Sequence, residues 1–126
     1  VTPDVSDGGI ADSRAKMEAI LAANPKPGSI SAVWCAWDQP ALGVLQAITA
    51  AGRQNEGIVI TGMDANPQAR DEIAKGGNFE ASMAQDFTGI GAATADAVAQ
   101  VLDGKTIKQH VIYVPTKLIT AANAKL

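Results

Sequence analysis

The chain has 126 residues, of which 47% are hydrophobic and 18% charged, so it can bury one domain-sized core and is not a disordered segment. Ten Lys and Arg stand against 13 Asp and Glu, with no basic run to neutralise several phosphates, so nucleic acid is not expected as a partner. Cys35 is the only cysteine and His110 the only histidine, which excludes a disulfide framework and a multi-cysteine zinc site, and no metal or cofactor is expected.

The first half of the chain alternates helix and strand patterns. Apolar spacing predicts a helix over Ile10–Asn24, with Asp12 or Ser13 as its N-cap and prolines after its end. Residues 31–36 form a short apolar run, which predicts a strand buried on both faces. Residues 38–51 predict a second helix, which a glycine ends.

The second half continues the alternation. It predicts a strand at Gly57–Gly62, a helix that Asn66 caps and Pro67 opens, a strand at Phe79–Gln85, a helix at Phe87–Leu102 and a last extended segment at Val111–Pro115. Such alternation predicts an α/β fold with an open, mostly parallel sheet in three αβα layers. Right-handed crossovers would place helices on both faces and the carboxyl ends of the strands at one edge, where open α/β sheets bind their ligands.

Polar residues follow three of the predicted strands and suit a polyhydroxylated ring. The indole of Trp37 offers a flat surface for the C–H face of a sugar, while Asp38 and Asp64 can accept hydrogen bonds from hydroxyls and Gln85 can donate and accept. A role only as a helix cap fits Asp38 equally well, whereas Asn66 already caps the helix after Asp64 and leaves Asp64 without that role.

No catalytic constellation is recognisable. Trp34 is predicted to lie in the core, and Cys35 to be a small buried hydrophobe rather than a nucleophile. The G-x-S-x-G, Walker A and G-x-G-x-x-G motifs are absent from the sequence, and an enzyme is not expected.

Three segments together carry a resemblance to a known family. Ala36–Gly43 is similar to its Asn-Asp-x-x-Ala-Leu-Gly pattern, Thr61–Ala65 to its Gly-Phe-Asp pattern, and Ala81–Gln85 to a third strand that closes with Gln. In this order they resemble the carboxyl-terminal lobe of periplasmic sugar-binding proteins of the ribose-binding type. The resemblance covers nearly the whole chain.

The resemblance implies a function and a set of contacts. The chain would be part of the solute-binding component of an ABC sugar importer, which closes two lobes around a monosaccharide or polyol in the periplasm and delivers it to membrane permease subunits. Ligand contacts would fall on Trp37, Asp64 and Gln85, with Asp38 adjacent. Residues 1–126 would then form a partial carboxyl-terminal lobe that lacks its first βα unit, with the amino-terminal lobe absent.

Two departures and two alternatives bear on this assignment. The family often has Asn at the position of Trp37 and an aromatic residue near the loop at residues 6–9, which leaves the identity of the sugar open. A ligand-sensing domain of a lac-repressor-type regulator would have similar lobes, although residues 66–77 resemble the helix and turn usual in transport proteins. An enzyme of flavodoxin-like fold is the second alternative, which no nucleophile, metal set or phosphate loop supports.

Overall fold

The structure is a computed structural model that describes residues 4–109 and 111–125, so that His110 lies outside the described residues. Eight elements follow in the order α1 (Ile10–Ala23), β1 (Ala32–Trp34), α2 (Asp38–Ala50), β2 (Val59–Met63), α3 (Pro67–Ala74), β3 (Phe79–Gln85), α4 (Phe87–Leu102) and β4 (Thr116–Thr120). In the described part of the chain, no helix combines the length and the apolar character needed to cross a membrane.

The four strands form one sheet in the order β1-β2-β3-β4. β1 pairs with β2, and β2 with β3, in parallel. The predicted α/β fold with a mostly parallel sheet is therefore confirmed. An irregularity beside Ile60 shifts the register by one residue, so that Gly62 lies opposite Ser82 and Met63 opposite Met83. Both Gly62 and Ser82 are buried.

The chain divides into two compact units. The first comprises Val1–Ala84 and Leu118–Leu126, and the second comprises Gln85–Lys117. In the first unit α2 packs against β2, and α1 and α3 contact α2. The largest fully buried apolar side chains all belong to this unit: Ile48, Ile58, Ile60, Ile73, Phe79 and Ile119.

Asp38, at the start of α2, lies on the sheet face that carries Gly62 and Ser82. The opposite face carries an open hollow of about 260 Å³, lined by residues that include Trp34, Met63, Met83 and Leu118.

The second unit is built on α4, a helix of 16 residues. Asp86 caps it by accepting a hydrogen bond from the N–H of Gly89 at 2.9 Å. None of the helical residues is buried, although Val98, Val101 and Leu102 are apolar. These three side chains line a groove of about 490 Å³ together with Ile107 and other residues of the same unit.

The first helix begins at Ile10, as predicted, but neither predicted N-cap is used. The carboxylate of Asp7 accepts hydrogen bonds from the N–H groups of Gly9 at 2.9 Å and Ala11 at 2.8 Å, so the helix begins at Ile10. Gly9 has a φ of 92°, which a residue with a side chain rarely adopts. Asp12 and Ser13 lie inside the first turn.

Three expectations for the strands need correction. β1 is not buried on both faces: Ala32 and Trp34 are exposed and Val33 is half-buried. Trp34 is 71% exposed rather than part of the core, since it points to the uncovered face. The last strand is Thr116–Thr120 rather than Val111–Pro115: Ile119 reaches the core, whereas Val111 and its apolar neighbours remain exposed.

Candidate functional site

A tight turn at the carboxyl end of β2 forms the centre of the candidate site. Its three successive N–H groups all have partners on neighbouring elements. Asp64 N–H donates to the carbonyl of Met83 at 2.9 Å, Ala65 N–H to the hydroxyl of Ser82 at 3.0 Å, and Asn66 N–H to Asp38 Oδ2 at 2.8 Å. The backbone of the turn is therefore fixed from β3 on one side and from α2 on the other.

Asp64 and Ala65 have an unusual backbone conformation. Their φ angles are 97° and 53°, and they are the only non-glycine residues with positive φ in the described chain. A left-handed conformation costs an L-residue on the order of 1–2 kcal/mol relative to glycine, although Asp tolerates it better than most. Such backbone strain persists only where surrounding contacts impose it, and it is concentrated at functional sites.

Asp38 lies beneath this turn and has no exposed surface. Its Oδ1 accepts a hydrogen bond from the Ser82 hydroxyl at 2.6 Å, while Oδ2 accepts from Asn66 N–H. Burial raises the pKa of the Asp38 carboxyl, and these hydrogen bonds partly offset the rise. Asp38 is the first residue of α2 rather than its cap, since the N-cap position belongs to Trp37.

Gly62 provides the space for that buried carboxylate. A Cβ atom at this position would overlap Asp38 Oδ1 and would lie 3.0 Å from Cζ of Phe79. The glycine of the Thr61–Ala65 motif is therefore required by a close approach between β2 and the start of α2. Nothing in the local sequence indicated this contact, because the two residues are far apart in the chain.

Trp37 is half-buried at the start of α2. Its indole N–H donates to the carbonyl of Gly8 at 2.8 Å, and its ring lies beside Gly9. The loop at residues 6–9, where the sequence lacks the family's aromatic residue, thus holds the indole. With its N–H committed to Gly8, the ring offers a ligand its aromatic face rather than a hydrogen bond.

The structure brings three of the four predicted site residues to one junction. Trp37 and Asp38 begin α2, Asp38 binds the backbone next to Asp64, and Asp64 is half-buried on the turn. Gln85 ends β3 and is half-buried, and it belongs to the second unit. Ser82 was missed by sequence reasoning, since a serine within a strand carries no distinctive signal.

A second contact reinforces the turn from the chain that follows it. The guanidinium of Arg70 donates to the carbonyl of Ala65 at 2.9 Å. Asn66 caps α3 as predicted, because its side chain accepts from the N–H of Ala69 at 2.9 Å, with Pro67 at the first helical position. The turn and the helix after it therefore form one hydrogen-bonded assembly.

Cys35 is buried, as predicted, and burial with the nearby charge of Asp38 raises the pKa of its thiol to about 11. A thiol with that pKa is overwhelmingly protonated at neutral pH and is a poor nucleophile. Among the described residues, no group of three or more His, Cys, Asp or Glu side chains is placed to hold a metal ion. The chemistry available at the junction is therefore hydrogen bonding and stacking.

Comparisons with known proteins identify a matching family and related sequences. Residues 2–106 match the model of a periplasmic binding protein domain. The chain is 37% identical over 86 residues to a putative rhizopine-binding protein of Rhizobium meliloti (68% of this chain, 27% of the relative). It is 34% identical over 111 residues to a D-apiose import binding protein of Actinobacillus succinogenes (87% of this chain, 34% of the relative).

A solved structure extends the similarity to the fold. An ABC transporter solute-binding protein from Agrobacterium vitis with bound allitol superposes with a TM-score of 0.84 and 36% identity, over 97% of this chain and 41% of that one. The chain spans only about a third of the length of the curated relatives it matches, 27% and 34% of the two named above.

Proposed function

This chain belongs to the periplasmic binding protein domain family, and from that membership we propose that it is part of the solute-binding component of an ABC importer for a monosaccharide or polyol. The observation that carries the proposal is the family match over residues 2–106. The related proteins described above are named for binding rhizopine or D-apiose, and the A. vitis protein holds allitol. The protein would bind its ligand reversibly, without catalysis, in the periplasm.

The proposed contacts combine stacking with charged hydrogen bonds. The face of Trp37 would cover the C–H groups of the ligand, and the carboxylate of Asp64 would accept from its hydroxyls. Gln85 is a further proposed contact, on the strength of the sequence resemblance. Asp38 was also predicted to accept from a hydroxyl, but both of its oxygens already accept from protein donors, so we assign it an indirect part in the site.

Import is favoured over the alternative of a sugar-responsive regulator. The D-apiose relative and a ribose relative of Bacillus subtilis, which is 36% identical over 104 residues, both carry import in their names. The regulator would need a DNA-binding segment in addition to this domain. Reading the coding sequence upstream of Val1 separates the two: we expect a signal peptide and a second α/β lobe, and a helix-turn-helix there would refute the importer.

We also propose that the complete protein includes an amino-terminal lobe and that membrane permease subunits receive the ligand from it. The sequence resemblance to sugar-binding proteins of ABC importers supports both partners.

The binding proposal is tested with a small panel of polyhydroxylated ligands. Ligand-detected NMR of the 126-residue chain with D-ribose, D-allose, allitol and myo-inositol should reveal weak binding of at least one, because a single lobe supplies part of the contacts. Asp64→Ala should weaken binding at least about a hundredfold, since two charged hydrogen bonds contribute about 1.5–3 kcal/mol each. Unchanged binding in this variant would remove Asp64 from the site.

Glu80→Ala is a matched control for that substitution. Glu80 is an exposed carboxylate on β3, so its loss changes the net charge by the same amount without touching the turn. We expect this variant to bind like the original chain. Equal loss of binding in both variants would indicate a general charge effect and would refute the specific role of Asp64.

A further inference from the structure

The geometry points to Ser82 and Asp38 as positioning residues that hold the carboxylate of Asp64 in its binding orientation. This inference rests on the proposed function of Asp64 as a ligand contact. Ser82 and Asp38 need not touch the ligand, because both are completely buried. They act on the backbone that carries Asp64, through a hydrogen-bond chain from Ala65 N–H to the Ser82 hydroxyl and on to Asp38.

The hydroxyl of Ser82 is the central link in this chain. It accepts from Ala65 N–H at 3.0 Å and donates to Asp38 Oδ1 at 2.6 Å, which uses its donor and one acceptor site. The carboxylate then spans the turn, because its other oxygen accepts from Asn66 N–H. Two successive amides, Ala65 N–H and Asn66 N–H, therefore each have a buried acceptor. These two hydrogen bonds restrain the peptide planes on either side of Ala65 and thereby its φ angle.

The restraint is needed because the turn opposes its own backbone preferences. Asp64 and Ala65 both have positive φ, where L-residues are disfavoured. If Ala65 N–H lost its acceptor, the turn would relax toward negative φ and the Asp64 side chain would change direction. The buried pair therefore sets where the Asp64 carboxylate points, which is a requirement for binding at a pre-formed site.

The experiment compares Ser82→Ala with the original chain by two independent NMR measurements. Without ligand, a strong intraresidue cross-peak between the amide and α protons of residues 64 and 65 reports positive φ. With D-ribose, D-allose, allitol and myo-inositol, titration reports affinity. We expect Ser82→Ala to lose the cross-peaks and to bind at least about tenfold more weakly, as expected for one lost buried hydrogen bond that leaves its partners unpaired.

A second variant separates positioning from simple loss of stability. Adding Ala65→Gly to Ser82→Ala should restore part of the affinity, because glycine adopts positive φ without cost. If Ser82 acted only by stabilising the fold, Ser82→Ala would bind like the original chain under conditions where both are fully folded, and adding Ala65→Gly would not change its affinity. Ile48→Val serves as a control: it removes a buried methylene near the other end of α2 and should leave both measurements unchanged.

The two measurements test the positioning role and the proposed function separately. Persistence of the cross-peaks and of the affinity in Ser82→Ala would overturn the positioning role. Absence of any binding by the original chain to all four compounds would refute the proposed function, and with it the functional part of this inference. The cross-peaks would then still decide whether Ser82 holds the turn.

Discussion

Replacement of Asp64 by Gly and by Ala should reduce binding equally but should leave the two variants with different stabilities. Both substitutions remove the carboxylate, with whatever contacts it makes, so the difference between them isolates the Cβ atom. At a φ of 97°, the left-handed backbone destabilises an alanine but not a glycine. Asp64→Gly should therefore be the more stable variant, while neither variant binds the ligand.

The expected difference follows from two opposing magnitudes. A left-handed L-residue is disfavoured by about 1–2 kcal/mol. Glycine also gives the unfolded chain extra backbone freedom, which lowers the stability of the glycine variant by about 0.5–1 kcal/mol. From the midpoints of these two ranges, the net advantage of Asp64→Gly over Asp64→Ala is about 0.8 kcal/mol in the free energy of unfolding.

Urea unfolding followed by tryptophan fluorescence suits this comparison, because both tryptophans, Trp34 and Trp37, lie in the first unit with Asp64. Ala19→Gly, at an exposed position within α1, is the control and should lower the stability by about 0.5–1 kcal/mol. Equal stability of the two Asp64 variants, or a less stable glycine variant, would refute the strain assigned to the turn.

Three further predictions concern buried positions. Cys35, with a thiol pKa of about 11, should react with a thiol reagent at pH 8 only after unfolding, and rapid labelling of the folded chain would contradict its burial. The pKa of Asp38 is raised in the folded chain, so the stability of the original chain relative to Asp38→Asn should fall as pH rises from about 3 to 7. Urea unfolding at a series of pH values measures this difference. A stability difference that grows with pH would contradict the raised pKa. Gly43→Ala would drive a methyl group into Ser13 Oγ and the Ile10 carbonyl, so calorimetry should show destabilisation of about 1–3 kcal/mol, and an unchanged melting temperature would contradict the contact between α1 and α2.

Local sequence patterns were sufficient for most of the fold. The cap and proline at Asn66 and Pro67 placed the start of α3, and apolar spacing placed α2 and α4. Errors arose where the surroundings of an element decided the outcome. Apolar residues 31–36 cannot reveal which face of the sheet is left uncovered, and Trp34 points to that face. The apolar run at 111–115 likewise lacked the buried contact that makes Ile119 part of a strand.

The candidate site was also only partly predictable from local sequence. Trp37 and Asp64 were selected from strand ends and residue types, since both lie within two residues of the end of a predicted strand, and their contacts with a ligand stay predictions. The role of Asp38 could not be predicted, since its partner Ser82 lies 44 residues away and the intervening register depends on an irregularity in the pairing of β2 with β3. The positive φ angles at residues 64 and 65 were also hidden, because neither residue is glycine.

The most direct test of a sugar site at this turn is a titration of the isotope-labelled chain with allitol, followed through its amide and indole N–H signals. We expect allitol to shift the signals of the Trp37 indole N–H and of the amides of residues 64–66. In Asp64→Asn these shifts should disappear. Absence of any change at millimolar allitol, D-ribose, D-allose and myo-inositol, or changes that persist in Asp64→Asn, would contradict a sugar site at this turn.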